Sequence, residues 1–134
     1  MPNRAIEIHD SILSQISFFQ NEAQLHFAAL YIHESDGVPR VDAGRGWFQA
    51  AILRIRDAQV DGVFTEFPVD LTTGRTRIGQ DILENEIPFP LHHKGPFELR
   101  LQAMWREAAV MTLTGSSAEL ELVGEPGDIE EFRP

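Results

Sequence analysis

The chain has 134 residues, of which 43% are hydrophobic and 24% charged, and its formal net charge at pH 7 is −10; this length predicts a single domain over residues 1–134. The absence of cysteine excludes disulfides, thiol catalysis and cysteine-ligated metal centres. No apolar run approaches the roughly 20 residues that cross a bilayer. The opening MPNRAIEIHD also lacks the apolar core of a signal peptide. This composition predicts a cytoplasmic protein that binds neither a membrane nor nucleic acid, because both attract clustered positive charge.

The first predicted element, EIHDSILSQISFFQ (residues 7–20), contains three residue types of hydrolase active sites in succession. Adjacent strand residues point to opposite faces, so His9, Asp10 and Ser11 cannot form a catalytic triad among themselves. Apolar residues occupy even positions on both sides of the triplet, which predicts an inward alternation that runs through Asp10, in one long bent strand or in two strands. A helix that begins at Ser11 is the competing interpretation. We therefore expect a partly buried Asp10, held by backbone N–H groups or by an arginine.

Residues 1–35, with the HDS triplet, resemble the opening of small bacterial all-β proteins of unknown function that place such a triplet before a first hairpin. Some toxin-immunity proteins have similar openings. The resemblance implies a β-rich fold and transfers no catalytic residue.

The next segments continue the strand pattern. AQLHFAALYIHES (23–35) is apolar on both faces, which predicts a central, fully covered strand. WFQAAILRIRDA (47–58) fits a strand or a helix, and the two glycines just before it favour a strand. VFTEFPVDL (63–71) predicts a short strand broken at Pro68, as at an edge or a bulge.

The C-terminal half predicts further antiparallel strands. FELRLQAMW (97–105) places its apolar residues on one face, and 109–123 alternates around a Gly-Ser turn signal, which predicts a hairpin. The segments 35–46, 72–81 and 85–96 are rich in glycine, proline and turn formers and are predicted loops. Together the segments predict an all-β, mainly antiparallel β-sandwich or partly open barrel of about seven to nine strands, with room for one short helix.

The charged residues predict solvated strand faces and one candidate docking surface. Arginines recur at even spacings, which puts them on one side of a strand where carboxylates can pair with them: Arg54/Arg56, Arg75/Arg77 and Arg100/Arg106. From Glu107 to Phe132 the chain has seven acidic residues and no basic one. That stretch is either a solvated face or an acidic surface that docks a basic protein.

The histidines raise the question of a metal site. His26 and His33 are seven residues apart, an odd spacing that predicts opposite faces of one strand. The loop pair His92-His93 would need one or two further ligands, for example His9, His33, Glu34 or Asp36. No fixed ligand spacing is present, so we expect locally hydrogen-bonded histidines, no metal site and no cofactor.

Five residues are candidates for binding: Asp10, Arg45, Trp47, His92 and His93. Trp47 ends the glycine-rich segment DGVPRVDAGRGW (36–47), where its ring could stack on a sugar or a peptide. A core position at the start of a strand is the alternative for Trp47.

Two classes of function remain. The first is a non-enzymatic domain that binds a partner or associates with itself as a homodimer, most concretely an immunity-like inhibitor of a basic toxin. The second is a small metal-dependent or hydrolytic enzyme that uses a cluster of His9, Asp10, His33, His92 and His93. Convergence of these residues in one pocket would favour the enzyme, and their dispersal would favour the binding domain.

Overall fold

Ten β-strands form the regular structure of the described residues, which are 3–39, 41–62, 64–104 and 109–132 of the computed structural model. The strands are β1 (Asn3–Phe19), β2 (Glu22–Ser35), β3 (Gly44–Arg56), β4 (Gln59–Asp61), β5 (Val69–Ile78), β6 (Asp81–Glu84), β7 (Glu86–Phe89), β8 (His92–Ala103), β9 (Val110–Val123) and β10 (Glu130–Phe132). The predicted all-β class is confirmed. In this part of the chain no helix is long and apolar enough to cross a membrane.

Six antiparallel strands close into a barrel in the order β1, β2, β3, β9, β8, β5, and β5 pairs again with β1. The other strands extend this barrel: β4 pairs with β9, β6 with β5, β7 with β1 and β10 with β3. Closure removes most of the free sheet edges, which would otherwise be open to pairing with other chains.

The barrel interior is filled by aliphatic side chains, as is usual for barrels with few strands. The largest fully buried ones are Ile6, Ile8, Leu13, Leu25, Leu30, Ile32, Leu53, Ile55, Leu71, Ile87, Leu99 and Leu101. Each stabilises the fold by about 1.5–3 kcal/mol relative to an exposed position. Because these side chains occupy the interior, candidate binding surfaces lie on the outer faces and at the ends of the barrel.

A bulge at Asp10 reverses the alternation of β1, so the prediction of a partly buried Asp10 is wrong. Asp10 has a φ of 70°, and the pairing register with β2 shifts between Glu7 and Ile12. Before the bulge the even position Ile8 is buried, whereas after it Ser11 is buried. The Asp10 side chain is 60% exposed. β1 is thus one long bent strand, and the competing helix from Ser11 does not form.

A second bulge changes which face the histidines of β2 occupy. The register with β3 shifts between Phe27 and Leu30, and the buried positions change there from odd to even. His26 and His33 therefore both lie on the outer face of the barrel, and the prediction of opposite faces is wrong. The predicted full covering of β2 is also wrong, because only its inner face is continuously buried.

Two of the three predicted loops are strands. Segment 72–81 lies mostly in β5, where the inward positions are Gly74 and Thr76 rather than large apolar residues, so periodicity gave no signal. Segment 85–96 contributes β7 and the start of β8; Pro88 lies in β7, a short added strand outside the barrel ladder, and Pro96 lies in β8 where the register shifts between Lys94 and Phe97. Only 35–46 is a loop for most of its length.

The predicted hairpin over 109–123 is wrong, because β9 runs unbroken from Val110 to Val123. Gly115 is not a turn residue. A Cβ atom there would overlap Ile55 Cγ2 and lie 2.5 Å from the Arg56 carbonyl oxygen, so this glycine permits the close approach of β3.

Of the remaining strand predictions, 47–58 and 97–105 agree with the structure where it describes them, whereas in 63–71 the described residues 64–68 are not strand. Segment 47–58 is mostly strand, as favoured over a helix. The inward alternation of 97–105 holds as far as Ala103, and Trp105 lies outside the described residues. In 63–71, Val63 lies outside them too, and the strand begins only at Val69.

Candidate functional site

Trp47 and Arg45 are held by contacts within the protein. The Trp47 side chain belongs to the core with 6% exposure, and its Nε1 donates a 3.1 Å hydrogen bond to Gln49 Oε1. Arg45 Nη2 lies 2.6 Å from Glu34 Oε1. Trp47 is therefore packed as a core residue rather than displayed for stacking.

Glu34 is a buried carboxylate held by two arginines from the neighbouring strands. Its side chain is 4% exposed, and Arg4 Nε and Arg45 Nε each donate a 2.7 Å hydrogen bond to it. Burial alone would raise the pKa of Glu34, but the hydrogen bonds and charges of Arg4 and Arg45 outweigh burial and lower the pKa. The Arg4 guanidinium also lies 5.9 Å from the ring centres of Trp47 and Phe89. This cluster joins β1, β2 and β3 and has a structural role.

An acidic surface with exposed aromatic character lies on the outer face of the same three strands. Glu7, Tyr31 and Phe48 are direct cross-strand neighbours. The Tyr31 and Phe48 rings meet edge to face with centroids 4.6 Å apart, and Phe48 is 40% exposed. We call Glu7, Asp10, Tyr31, Phe48 and Glu130 the acidic aromatic face.

Glycine at position 46 leaves room for the Tyr31 ring over β3. Gly46 lies opposite both His33 on β2 and Glu130 on β10. A Cβ atom at Gly46 would lie only 2.8 Å from the Tyr31 hydroxyl oxygen. With glycine there, the Tyr31 hydroxyl extends over β3 toward Glu130, whose charge contributes to raising the pKa of Tyr31.

Burial and the nearby carboxylates of the acidic aromatic face raise the pKa of the Tyr31 hydroxyl. Burial is the largest cause, followed by the negative charges of Glu130 and Glu7, the hydrogen bond to Glu130, and the charge of Asp10. Each charge disfavours a tyrosinate and would favour a cation at the same place. Aromatic rings beside carboxylates are suited to an ammonium or guanidinium group.

Two histidines border the acidic aromatic face and contact its carboxylates. His33 Nε2 lies 2.8 Å from Glu7 Oε2, and His9 Nε2 lies 3.4 Å from Asp10 Oδ1. The His9 Nδ1 atom is 2.8 Å from the Thr72 carbonyl oxygen. These contacts make the histidines local partners of the acidic residues.

His92 and His93 lie far from this face. His92 on β8 pairs with Glu119 on β9, which pairs with Arg54 on β3, whereas His33 pairs with Gly46 on β3. Arg54 and Gly46 are separated along β3 by roughly 26 Å at the usual rise of a strand. The five residues of the enzyme hypothesis therefore do not share one pocket. In the described ranges no group of three or more His, Asp or Glu residues is placed to hold a metal ion.

Of the acidic aromatic face, sequence reasoning identified only Asp10 as a candidate. The sequence pattern places Tyr31 and Phe48 in strands 23–35 and 47–58 and indicates no binding role for them. Tyr31 is the single tyrosine of the chain, but its outward position depends on the bulge in β2. The position of Glu130 beside Tyr31 depends on β10, which no periodic pattern predicts.

The chain matches no protein-family model, no curated protein and no solved structure. The resemblance of residues 1–35 to small all-β and immunity proteins therefore remains a hypothesis.

Proposed function

We propose that this chain is a non-enzymatic, cytoplasmic binding domain that docks a basic protein on its acidic aromatic face. Inhibition of a basic toxin, in the manner of an immunity protein, is the most concrete version. The observation that supports the proposal is the contact pair Tyr31 and Phe48, with ring centroids 4.6 Å apart, beside the carboxylates that raise the Tyr31 pKa.

The chemistry of the acidic aromatic face fits an arginine or lysine side chain of a partner. A cation over an aromatic ring gains about 0.5–1 kcal/mol at an exposed site and about 2 kcal/mol when it is desolvated. The net charge of −10 would also speed the encounter with a basic partner through long-range attraction.

Exposed apolar residues beside the face favour a protein over a small cation. Val123 is 39% exposed and pairs with Ala50, two residues along β3 from Phe48. Ile129, directly before β10, is 54% exposed. Protein interfaces combine such apolar contacts with a polar rim, whereas a small cation would not bury these apolar side chains.

Binding of an oligo-arginine peptide, measured by calorimetry at two salt concentrations, tests the location of the site. The double variant Asp10→Asn/Glu130→Gln removes two charges from the face, and asparagine tolerates the positive φ at position 10. The control Asp61→Asn/Asp81→Asn removes two exposed charges elsewhere. We expect the face variant to bind about fivefold more weakly and the control to match the wild type. Equal weakening by both variants would show only a general charge effect and would refute the site.

A second copy of the chain is the competing occupant of this surface. Sedimentation of the wild type and of Asp10→Asn/Glu130→Gln distinguishes the two occupants. We expect both to be monomers. A wild-type dimer that the variant abolishes would replace the basic partner by a homodimer.

A further inference from the structure

A second surface feature, of opposite charge, lies at the other end of β3. It is an open cleft of ≈ 560 Å³ on the outside of β3, β9 and β8. Arg54, Arg56, His92, His93, Lys94 and Ser117 are among the residues that line it. The lining holds three permanent cations, Arg54, Arg56 and Lys94, against the two carboxylates Glu22 and Glu119, in a chain of net charge −10 whose only lysine is Lys94.

The strand register explains how the cations face one another. Arg56 pairs with Ser117, and Ser117 pairs with Lys94, so the three residues form one row across three strands. Neighbouring strands are about 4.8 Å apart, which places the outer two backbones roughly 10 Å apart. Because the middle residue is a short serine, the row has a gap between two long cationic side chains, with a hydroxyl at its floor.

Arg56 and Lys94 are the two cations of the cleft that form no ion pair within the described residues, although Glu22 on β2 is the direct cross-strand neighbour of Arg56. Arg54 lies 3.5 Å from Glu121, and His92 lies 3.9 Å from Glu119. By contrast, no carboxylate of the described residues is within ion-pair distance of Arg56 or Lys94. Glu22, which also lines the cleft, accepts a 2.8 Å hydrogen bond from Gln24.

His93, which lies between His92 and Lys94 on β8, has a buried nitrogen that is unsatisfied within the described ranges. Its Nε2 atom is buried and is, among the described residues, the one side-chain nitrogen or oxygen so buried that has no hydrogen-bond partner. Such an atom is costly because it has lost water without gaining a replacement. His93 pairs with Ala118, which pairs with the buried Ile55, so this nitrogen lies on the opposite face of the sheet from Arg56, Ser117 and Lys94.

We infer that this cleft binds a phosphoryl oxyanion, as free phosphate or as the phosphate of a small monoester. Arg56 offers paired N–H donors, Lys94 a point charge and Ser117 a hydroxyl, which are the donor types that bind phosphate. A compact anion fits better than a long polyanion, because the acidic remainder of the protein would repel charge extending beyond the cleft. The site is separate from the acidic aromatic face and does not depend on it.

Calorimetric titration with inorganic phosphate and with O-phosphoserine tests the site. The variant Arg56→Gln/Lys94→Gln removes the two cations that form no ion pair in the described part of the chain, and we expect it to weaken phosphate binding about tenfold or more. The control Arg75→Gln/Arg100→Gln removes two cations that are also cross-strand neighbours, at a pocket of only ≈ 80 Å³. We expect the control to bind as the wild type does.

The outcomes separate the two sources of the phosphoryl group. Tighter binding of O-phosphoserine would identify a monoester, and equal or weaker binding would identify free phosphate. In histidine NMR spectra, we expect phosphate to shift the signals of His92 and His93 but not those of His26 and His33. Equal weakening in both double variants, unchanged His92 and His93 signals, or no binding by the wild type would overturn the inference.

Discussion

The hydroxyl of Ser11 donates a 2.7 Å hydrogen bond to the backbone carbonyl of Glu7, four residues earlier on the same strand. The same oxygen accepts a 3.3 Å hydrogen bond from the backbone N–H of Tyr31. Ser11 is fully buried, and it lies where the bulge at Asp10 interrupts the ladder between β1 and β2. The serine therefore satisfies backbone groups that the bulge removes from regular pairing.

Replacing Ser11 with alanine should destabilise the protein by about 1–3 kcal/mol, because it leaves buried backbone groups unsatisfied. Ser14→Ala is the matched control, since the Ser14 hydroxyl bonds the His26 carbonyl at 2.8 Å from a half-buried position. We expect a smaller loss for Ser14→Ala in urea unfolding. Equal losses would show that the bulge does not depend on the Ser11 hydroxyl.

Position 10 should discriminate between residues by their tolerance of a positive φ. Asp10→Gly should change the free energy of unfolding by less than about 1 kcal/mol, because glycine adopts this conformation without strain. Asp10→Val should destabilise by about 1–2 kcal/mol more than Asp10→Gly, since a β-branched side chain clashes there. Both values come from urea denaturation at neutral pH. A valine variant as stable as the glycine variant would contradict the φ of 70° at this bulge.

Gly115 should be intolerant of any side chain. Gly115→Ala should destabilise by about 3 kcal/mol, because the added methyl overlaps both a side chain and the backbone of β3. Gly79→Ala is the control, since Gly79 has a φ of 60° but nothing within 4 Å of an added Cβ. We expect about 1 kcal/mol for that variant, from backbone strain alone. Thermal unfolding of the two variants distinguishes close packing from conformational freedom. A larger loss of stability for Gly79→Ala than for Gly115→Ala would contradict an unbroken β9.

Glu34→Gln should produce a pH-dependent loss of stability. The pKa of Glu34 is lowered in the folded protein, so its ionised form stabilises the fold fully above the pKa of the unfolded chain, which is about 4.3. That contribution is lost as the pH falls through the lower pKa of the folded protein. We expect the variant to be about 1–3 kcal/mol less stable at pH 7, and the two stability curves to converge under acid conditions. A constant difference across the range would contradict the lowered pKa.

The strands with large apolar residues at inward positions could be predicted from the sequence, as with Leu99 and Leu101 in β8. The failures have specific physical causes. Each bulge adds one residue, so that inward and outward side chains exchange places along the rest of the strand. The predicted faces of Asp10, and of His33 relative to His26, are wrong for this reason. Gly115 carries a turn signal, but it serves close packing between strands that are distant in sequence.

The candidate surfaces could be predicted only in part. Asp10, His92 and His93 were identified as candidates, but their placement on two separate surfaces depends on cross-strand register. Arg56 and Lys94 face each other only because β9 inserts Ser117 between them. No local pattern encodes that pairing.

Spectrophotometric titration of Tyr31 tests the central claim most directly, because the chain has no other tyrosine. The ionisation is followed by near-ultraviolet absorbance, with and without oligo-arginine, in the wild type and in Asp10→Asn/Glu130→Gln. We expect a wild-type pKa above the ordinary value of about 10, a decrease when the peptide binds, and a smaller decrease in the variant. An ordinary Tyr31 pKa that does not respond to the peptide would contradict cation binding at the acidic aromatic face.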